Sequence, residues 1–229
     1  MVKMQRPDYI PQDYKLIEVV DGLDDFHAAT FESANMILEP GAVVLRGDFV
    51  ALREYMREAA FGAGFYEVDE AEFRAMRKHM PDTLLEPADC ILRDFAEHGP
   101  YFNSLALRTV SPRGYGKKEF YTFHVDGPGT DPVSGRLMIP YTGGVTQGLR
   151  NDQAVPCGHR AYMPTSDAQS FAPRLGDRWR QAGETEPAGD SDVATVPGYI
   201  HRTDMDGLTH LVMVGDNKYR SSKRAGISR

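Results

Sequence analysis

His124 and Asp126 flank a single valine in the stretch Lys118-Glu-Phe-Tyr-Thr-Phe-His124-Val-Asp126-Gly-Pro-Gly, where an aromatic, strand-like run meets a glycine- and proline-rich turn. Alternate side chains of a strand share a face, so this imidazole and carboxylate can reach one point in space. A third donor from a distant segment would complete a two-histidine, one-carboxylate triad. Such a triad leaves positions open on a metal and suits non-haem Fe(II). The competing reading is a half-buried strand whose His and Asp meet by accident at a turn.

Seven histidines are available. His27, His79 and His98 sit in helix-like, charged or loop-like sequence and are expected to face solvent. His201 follows a Pro-Gly turn in Val196-Pro-Gly-Tyr-Ile-His201-Arg-Thr-Asp, on a short extended segment suited to lie beside the strand of His124. His210 competes from the apolar run Leu208-Thr-His-Leu-Val-Met-Val214, although a histidine so placed is more often a hydrogen-bonded core residue. His159, in Cys157-Gly-His159, offers sulfur and nitrogen donors for zinc on weaker grounds. Local context favours His201.

These residues need a framework. Lys15–Val20 reads as a short strand and Asp24–Leu38 as a helix, from its apolar spacing and acidic start. Pro40-Gly41 breaks the chain before a compact strand, Ala42–Arg46. Helices are expected over Val50–Phe61 and Val68–Met80, and Leu84–His98 is ambiguous, with a further helix after Pro87 as one reading. Beyond Phe102 short runs alternate with turn signals: Ser104–Val110, Phe120–Val125, Arg136–Tyr141, Val193–Val196 and Leu208–Val214. Helices first and strands later predict an α+β chain whose second half is a β-sandwich or small barrel. Residues 151–190 are polar and proline-bearing, and read as a lid, a binding loop or a disordered insertion.

The 229 residues are 41% hydrophobic and 26% charged, enough for a sizeable core. A formal net charge of −7 argues against nucleic acid or an anionic membrane as partner. Cys90 and Cys157 read as two lone thiols in a reducing compartment. With no signal-like apolar core near Met1 and no run of roughly 20 apolar residues, a soluble, cytoplasmic protein is expected. Lys218, Arg220, Lys223, Arg224 and Arg229 form a basic tail, read as solvated or as folding over the site to meet an anionic substrate.

Tyr121-x-x-His124-Val-Asp126, a turn, then Gly135-Arg136 leading into an apolar strand that ends at Tyr141, resembles the iron site of prolyl-hydroxylase-type Fe(II)/2-oxoglutarate-dependent dioxygenases. Gly189-Asp190, a short strand and Pro-Gly-Tyr-Ile-His201 resemble the second half of that motif. The match spans roughly Phe120 to Val214. It implies a double-stranded β-helix (jelly-roll, cupin-like) core with helices packed on one sheet, and Fe(II) held by His124, Asp126 and His201. It also implies 2-oxoglutarate as cosubstrate, with molecular oxygen and a small-molecule substrate, giving hydroxylation or a related C–H oxidation. Retention of Asp126 separates the chain from related halogenases, which carry a small residue there.

In that family a basic residue, usually Arg, follows the distal His by about nine positions and pairs with the far carboxylate of 2-oxoglutarate. Here His210 stands at that place. An imidazolium lacks the bidentate fork of Arg, so Arg136, with Tyr141 and Tyr121, joins His210 as a candidate for the cosubstrate. Gln147 and Arg150 are candidates for the substrate mouth. The implied organisation is a single oxygenase domain over 1–229: helical support over 1–100, a jelly-roll core over 101–216 with a long loop at 151–190, and a basic tail over 217–229. Two rival readings remain open, a cupin-like metalloenzyme that does not use 2-oxoglutarate and a non-catalytic jelly-roll binding protein.

Overall fold

A computed structural model describes residues 6–111, 122–126, 135–143, 146–183, 197–203 and 209–217. The chain is α+β. Strands β1 (Ile17–Val19) and β2 (Met36–Glu39) flank helix α1 (Leu23–Ala28). Helix α2 (Phe49–Ala59), strand β3 (Phe65–Val68), helices α3 (Glu70–Arg77) and α4 (Leu85–His98) and strand β4 (Ser104–Val110) follow. The remaining strands are β5 (Phe123–His124), β6 (Arg136–Thr142), β7 (Gln147–Leu149), β8 (Ala154–Gly158), β9 (Ala161–Pro164), β10 (Arg178–Gln181), β11 (Ile200–Arg202) and β12 (His210–Asp216).

Seven strands form one sheet in the order β1-β2-β10-β6-β12-β4-β3, and five form a second in the order β7-β11-β5-β9-β8. From β4 onward the chain alternates between them: β4, β6, β10 and β12 lie in the larger sheet, and β5, β7 and β11 in the smaller. The larger sheet is covered on both faces, because period-2 alternation sends successive side chains to opposite sides. Leu137, Ile139 and Tyr141 of β6, with Leu211 and Met213 of β12, join Leu52 and Met56 of α2, Phe73 of α3 and Phe95 of α4 in the main core. Burial of each such aliphatic side chain contributes about 1.5–3 kcal/mol. Their neighbours Arg136, Met138, Pro140, Thr142, Val212 and Val214 turn the other way and line a cavity between the sheets. Pro140 sits in a central strand, where it has no N–H to donate. The β6–β12 register shifts between Leu211 and Val212, beside it.

Local signals worked where the element is self-contained. Asp48 accepts a hydrogen bond from Ala51 N at 2.9 Å and caps α2, and Asp69 with Glu72 forms a capping box at the start of α3. The expected helix over Asp24–Leu38 stops at Ala28, and its last residues form β2 instead. Met36, Ile37 and Leu38 are buried on both faces between β1 and β10, and such a run carries no strand period to read. Ala42–Arg46 forms no strand: Val44 is exposed, and positive-φ glycines bracket the segment at Gly41 and Gly47. The helix expected from Val68 begins only at Glu70, because Phe65–Val68 pairs with β4.

The polar stretch read as a long loop at 151–190 carries β8, β9 and β10 within its described part. Trp179 is core rather than lid, paired on both sides by β2 and β6. Val193–Val196 and the basic tail with Lys218, Arg220, Lys223, Arg224 and Arg229 lie outside the described residues. Among the described residues no helix is long and apolar enough to cross a membrane.

Candidate metal centre

Strands β5 and β11 pair antiparallel with His124 directly opposite His201. Residues opposite one another in such a pair share a face, and the two imidazoles meet with ring centroids 4.6 Å apart. Asp126 follows at the end of β5, and His201 Nε2 lies 3.8 Å from Asp126 Oδ2. One donor atom from each of His124, Asp126 and His201 falls within 4.8 Å of the other two.

The hydrogen bonds fix which nitrogen each ring offers. His124 Nδ1 lies 2.8 Å from the Thr122 carbonyl, and His201 Nδ1 lies 3.1 Å from the Tyr199 carbonyl. A carbonyl only accepts, so each Nδ1 carries the proton and each Nε2 keeps a lone pair. Tyr199 also stacks on the His201 ring at 9° between planes. Both rings are therefore held in the tautomer and orientation that a cation requires.

Gln181 of β10 completes the arrangement. Trp179 Nε1 donates to Gln181 Oε1 at 3.0 Å, which turns the Gln181 amide nitrogen toward the site. That nitrogen donates to Asp126 Oδ2 at 2.7 Å and to His201 Nε2 at 3.2 Å. Arg136 takes the other carboxylate oxygen, Asp126 Oδ1, at 2.7 Å, and is itself paired with Asp216 at 2.8 Å.

Burial works against the Asp126 charge, but His201, Arg136 and Gln181 more than offset it and bring the pKa down to about 2. Burial lowers His201 to about 4 despite the attraction of Asp126. At neutral pH the site thus presents an ionised carboxylate and a neutral His201, the protonation states in which these groups ligate. Two imidazole nitrogens with one carboxylate suit Fe(II), with room left for further ligands. The residues fit the ion. His124 Nε2, His201 Nε2 and Asp126 are the atoms that would hold it.

A cavity of about 470 Å³ opens beside the cluster. Apolar side chains of Phe65, Val110, Met138, Pro140, Val212 and Val214 make much of its wall, and Arg108, Thr142, Thr203 and His210 supply polar groups.

The other sequence candidates divide. Arg136 and His210 line the cavity. Tyr141 does not: it lies on the helix-facing side of β6, and its hydroxyl donates to Asp94 at 2.7 Å. An odd step along the strand from Arg136 places it on the opposite face. Gln147 and Arg150 are also not in the cavity wall; Gln147 accepts from Arg202 at 2.9 Å, and Arg150 pairs with Asp13 and Asp152. Tyr121 lies outside the described residues. His159 is exposed on the turn between β8 and β9.

His98, expected at the surface, is fully buried, and His27 is half-buried against it; His79 is exposed. Gln181, Trp179 and Arg108 were not singled out from sequence. The alternation Trp179-Arg180-Gln181 was a usable signal for the first two, because it places them on one face of a strand.

No protein-family profile matches the chain, and no curated protein matches it. Among solved structures the chain is similar to a C-terminally truncated thymine-7-hydroxylase of Neurospora crassa in its apo form, at 12% identity. That similarity spans 94% of this chain and 99% of the other, with a TM-score of 0.45. At that level of likeness the site has to be read from its own geometry.

Proposed function

We propose that the chain is a non-haem iron oxygenase that couples oxidative decarboxylation of 2-oxoglutarate to hydroxylation, or a related C–H oxidation, of a small molecule. The observation that carries this reading is the convergence of His124 Nε2, His201 Nε2 and Asp126 beside a largely apolar cavity. The winding of the chain supports a double-stranded β-helix, or jelly roll, as the core, since it crosses from one sheet to the other at nearly every step from β4 to β12.

In this reading Fe(II), when bound, supplies the redox chemistry with O2 and the 2-oxo acid. The protein's own groups prepare the place for it. Carbonyls of Thr122 and Tyr199 hold the two imidazoles by their Nδ1–H groups. Arg136 occupies Asp126 Oδ1, while Oδ2, the oxygen nearer His201, accepts from Gln181 and keeps a second lone pair for the ion. Met138, Val212 and Val214 give the adjoining space an apolar wall. His210 lies in the cavity wall and remains the candidate from β12 for contact with the cosubstrate.

A second reading is a metalloenzyme of the same fold that does not use 2-oxoglutarate. It is favoured by the engagement of Arg136 with Asp126 and Asp216, which takes up the one arginine among the sequence candidates for the cosubstrate carboxylate.

Anaerobic calorimetric titration separates the two. Protein loaded with Mn(II) or Fe(II) is expected to bind 2-oxoglutarate, and under air with a suitable substrate to release succinate. Metal binding with no 2-oxoglutarate binding would select the second reading. Failure to bind metal would end both. His210→Ala is expected to retain metal and weaken 2-oxoglutarate.

A further inference from the structure

The two arginines of the cavity differ in what they have left to give. Arg136 contacts two nearly buried carboxylates, Asp126 and Asp216. Arg108 of β4 has a single carboxylate partner among the described residues, Glu67, reached through its Nε. Glu67 stands on β3, the outermost strand of the sheet, with its side chain 42% exposed, and it is not part of the cavity wall. An ion pair with so exposed a partner is weakened by solvent and salt. Arg108 is itself three-quarters buried, at 23% exposure, and lines the cavity with Val110 and with Phe65, over whose ring its guanidinium carbon lies 5.9 Å from the centroid. Its terminal nitrogens have no hydrogen-bond partner among the described residues beyond that pair.

Strand register places Arg108 well away from the metal ligands. Arg136 contacts Asp216 at one end of β12, whereas Arg108 is the register partner of Val212. Four residues along a strand is roughly 13 Å. The wall between these levels is apolar, with Met138, Pro140, Val212 and Val214. A guanidinium at one end of a cavity whose other end holds a cluster of ligand atoms suits a molecule that is anionic at one end.

We infer that Arg108 is a carboxylate-binding residue of this cavity and that the organic ligand carries a carboxylate at its end remote from the metal cluster. The inference rests on the cavity being an organic-ligand site, as proposed above, and not on the identity of the metal. The carboxylate has two possible sources, the far end of a 2-oxo acid or the substrate itself. The recognition chemistry is the same: a planar guanidinium donating to two carboxylate oxygens.

The test compares matched acids and neutral analogues on the whole chain, with and without Mn(II). One pair is 2-oxoglutarate and 2-oxobutanoate, which lacks the far carboxylate; the other is hexanoate and hexanamide. In the unaltered protein at least one acid should bind more tightly than its partner, by about 10- to 100-fold. Arg108→Met should erase that preference while leaving the neutral analogue unchanged. Erasure within the first pair assigns the carboxylate to the 2-oxo acid, and within the second pair to the substrate.

Glu67→Gln provides the control for a merely structural role, since it breaks the same β3–β4 ion pair. It should preserve or tighten acid binding by freeing the guanidinium. No acid preference in either pair overturns the inference, as does a Glu67→Gln loss equal to that of Arg108→Met. If 2-oxo acids fail to bind at all, the oxygenase reading falls, and the hexanoate pair still decides the role of Arg108.

Discussion

Two clusters of histidine, carboxylate and arginine lie on opposite faces of the larger sheet, and they are built to different ends. On the helix-facing side, His98 uses both ring nitrogens: Nδ1 meets His27 Nε2 at 3.0 Å, and Nε2 meets Arg178 at 3.4 Å. Arg178 is paired with the buried Glu39, and His27 stacks on Tyr101 with ring centroids 3.5 Å apart. No lone pair of His98 is left for a ligand. On the cavity side, His124 and His201 each tie Nδ1 to a carbonyl, and their Nε2 atoms gather with Asp126 beside open space, with only the neutral Gln181 amide 3.2 Å from His201 Nε2. Residue types alone do not make a site. What sets the second cluster apart is that its Nε2 atoms and carboxylate gather beside a cavity.

The sharpest way to break this comparison is to exchange the outcomes of histidine substitution. His124→Ala and His201→Ala are expected to abolish metal retention, a loss beyond the roughly 10- to 100-fold that outer contacts are worth. His98→Gln should leave metal affinity unchanged. Calorimetry and metal analysis of purified variants read both, and metal loss in His98→Gln would remove the distinction between the faces.

Gln181→Ala is the next largest. Its amide holds the Asp126 carboxylate in place, so its removal is expected to lower metal affinity by about 10- to 100-fold while the fold persists. Unchanged affinity would reduce Gln181 to a packing residue.

Tyr141→Phe probes the helix-facing side. It deprives buried Asp94 of its donor and is expected to cost about 1–3 kcal/mol in urea denaturation, with metal affinity unaffected.

The smallest effect is a difference in pH dependence. Burial, with help from Arg178, lowers His98 to about 3, and burial, with help from Arg180 and Arg178, lowers His27 to about 4, both below the ordinary 6.5. The unfolded chain therefore takes up these protons first, and their contribution to stability is lost as pH falls from about 6.5 toward those values. Asp94 acts with the opposite sign: burial raises it to about 6, so its folded form takes the proton first and stability is gained as pH falls through that range. Denaturation midpoints between pH 7 and 4 should fall less steeply for His98→Gln than for the unaltered protein. Asp94→Asn should steepen the fall.

Much of the candidate site was legible because it is local. His124 and Asp126 occupy alternate positions of one strand end, and His201 was favoured over His210 for its place after a turn. The pairing that puts His201 opposite His124 joins segments far apart in sequence, and no local pattern specifies it. Gln147, Arg150 and Tyr141 are not among the cavity-lining residues, since sequence proximity to a motif says nothing about which side of a strand, or which end of a sheet, faces the cavity.

By itself the sequence determined the elements whose information is contained within them. The capped helices α2 and α3, the alternating strands β4, β6 and β12, and the dyad of His124 and Asp126 are of this kind, because caps and period-2 patterns act over a few residues. Tertiary structure decided the rest. It made Met36–Glu39 a strand by burying it between β1 and β10, turned a polar stretch into β8, β9 and β10, and aimed Gln181 and Arg136 at one carboxylate. The reason is physical: strand pairing and burial are gained only across distant segments, and there they outweigh local preference.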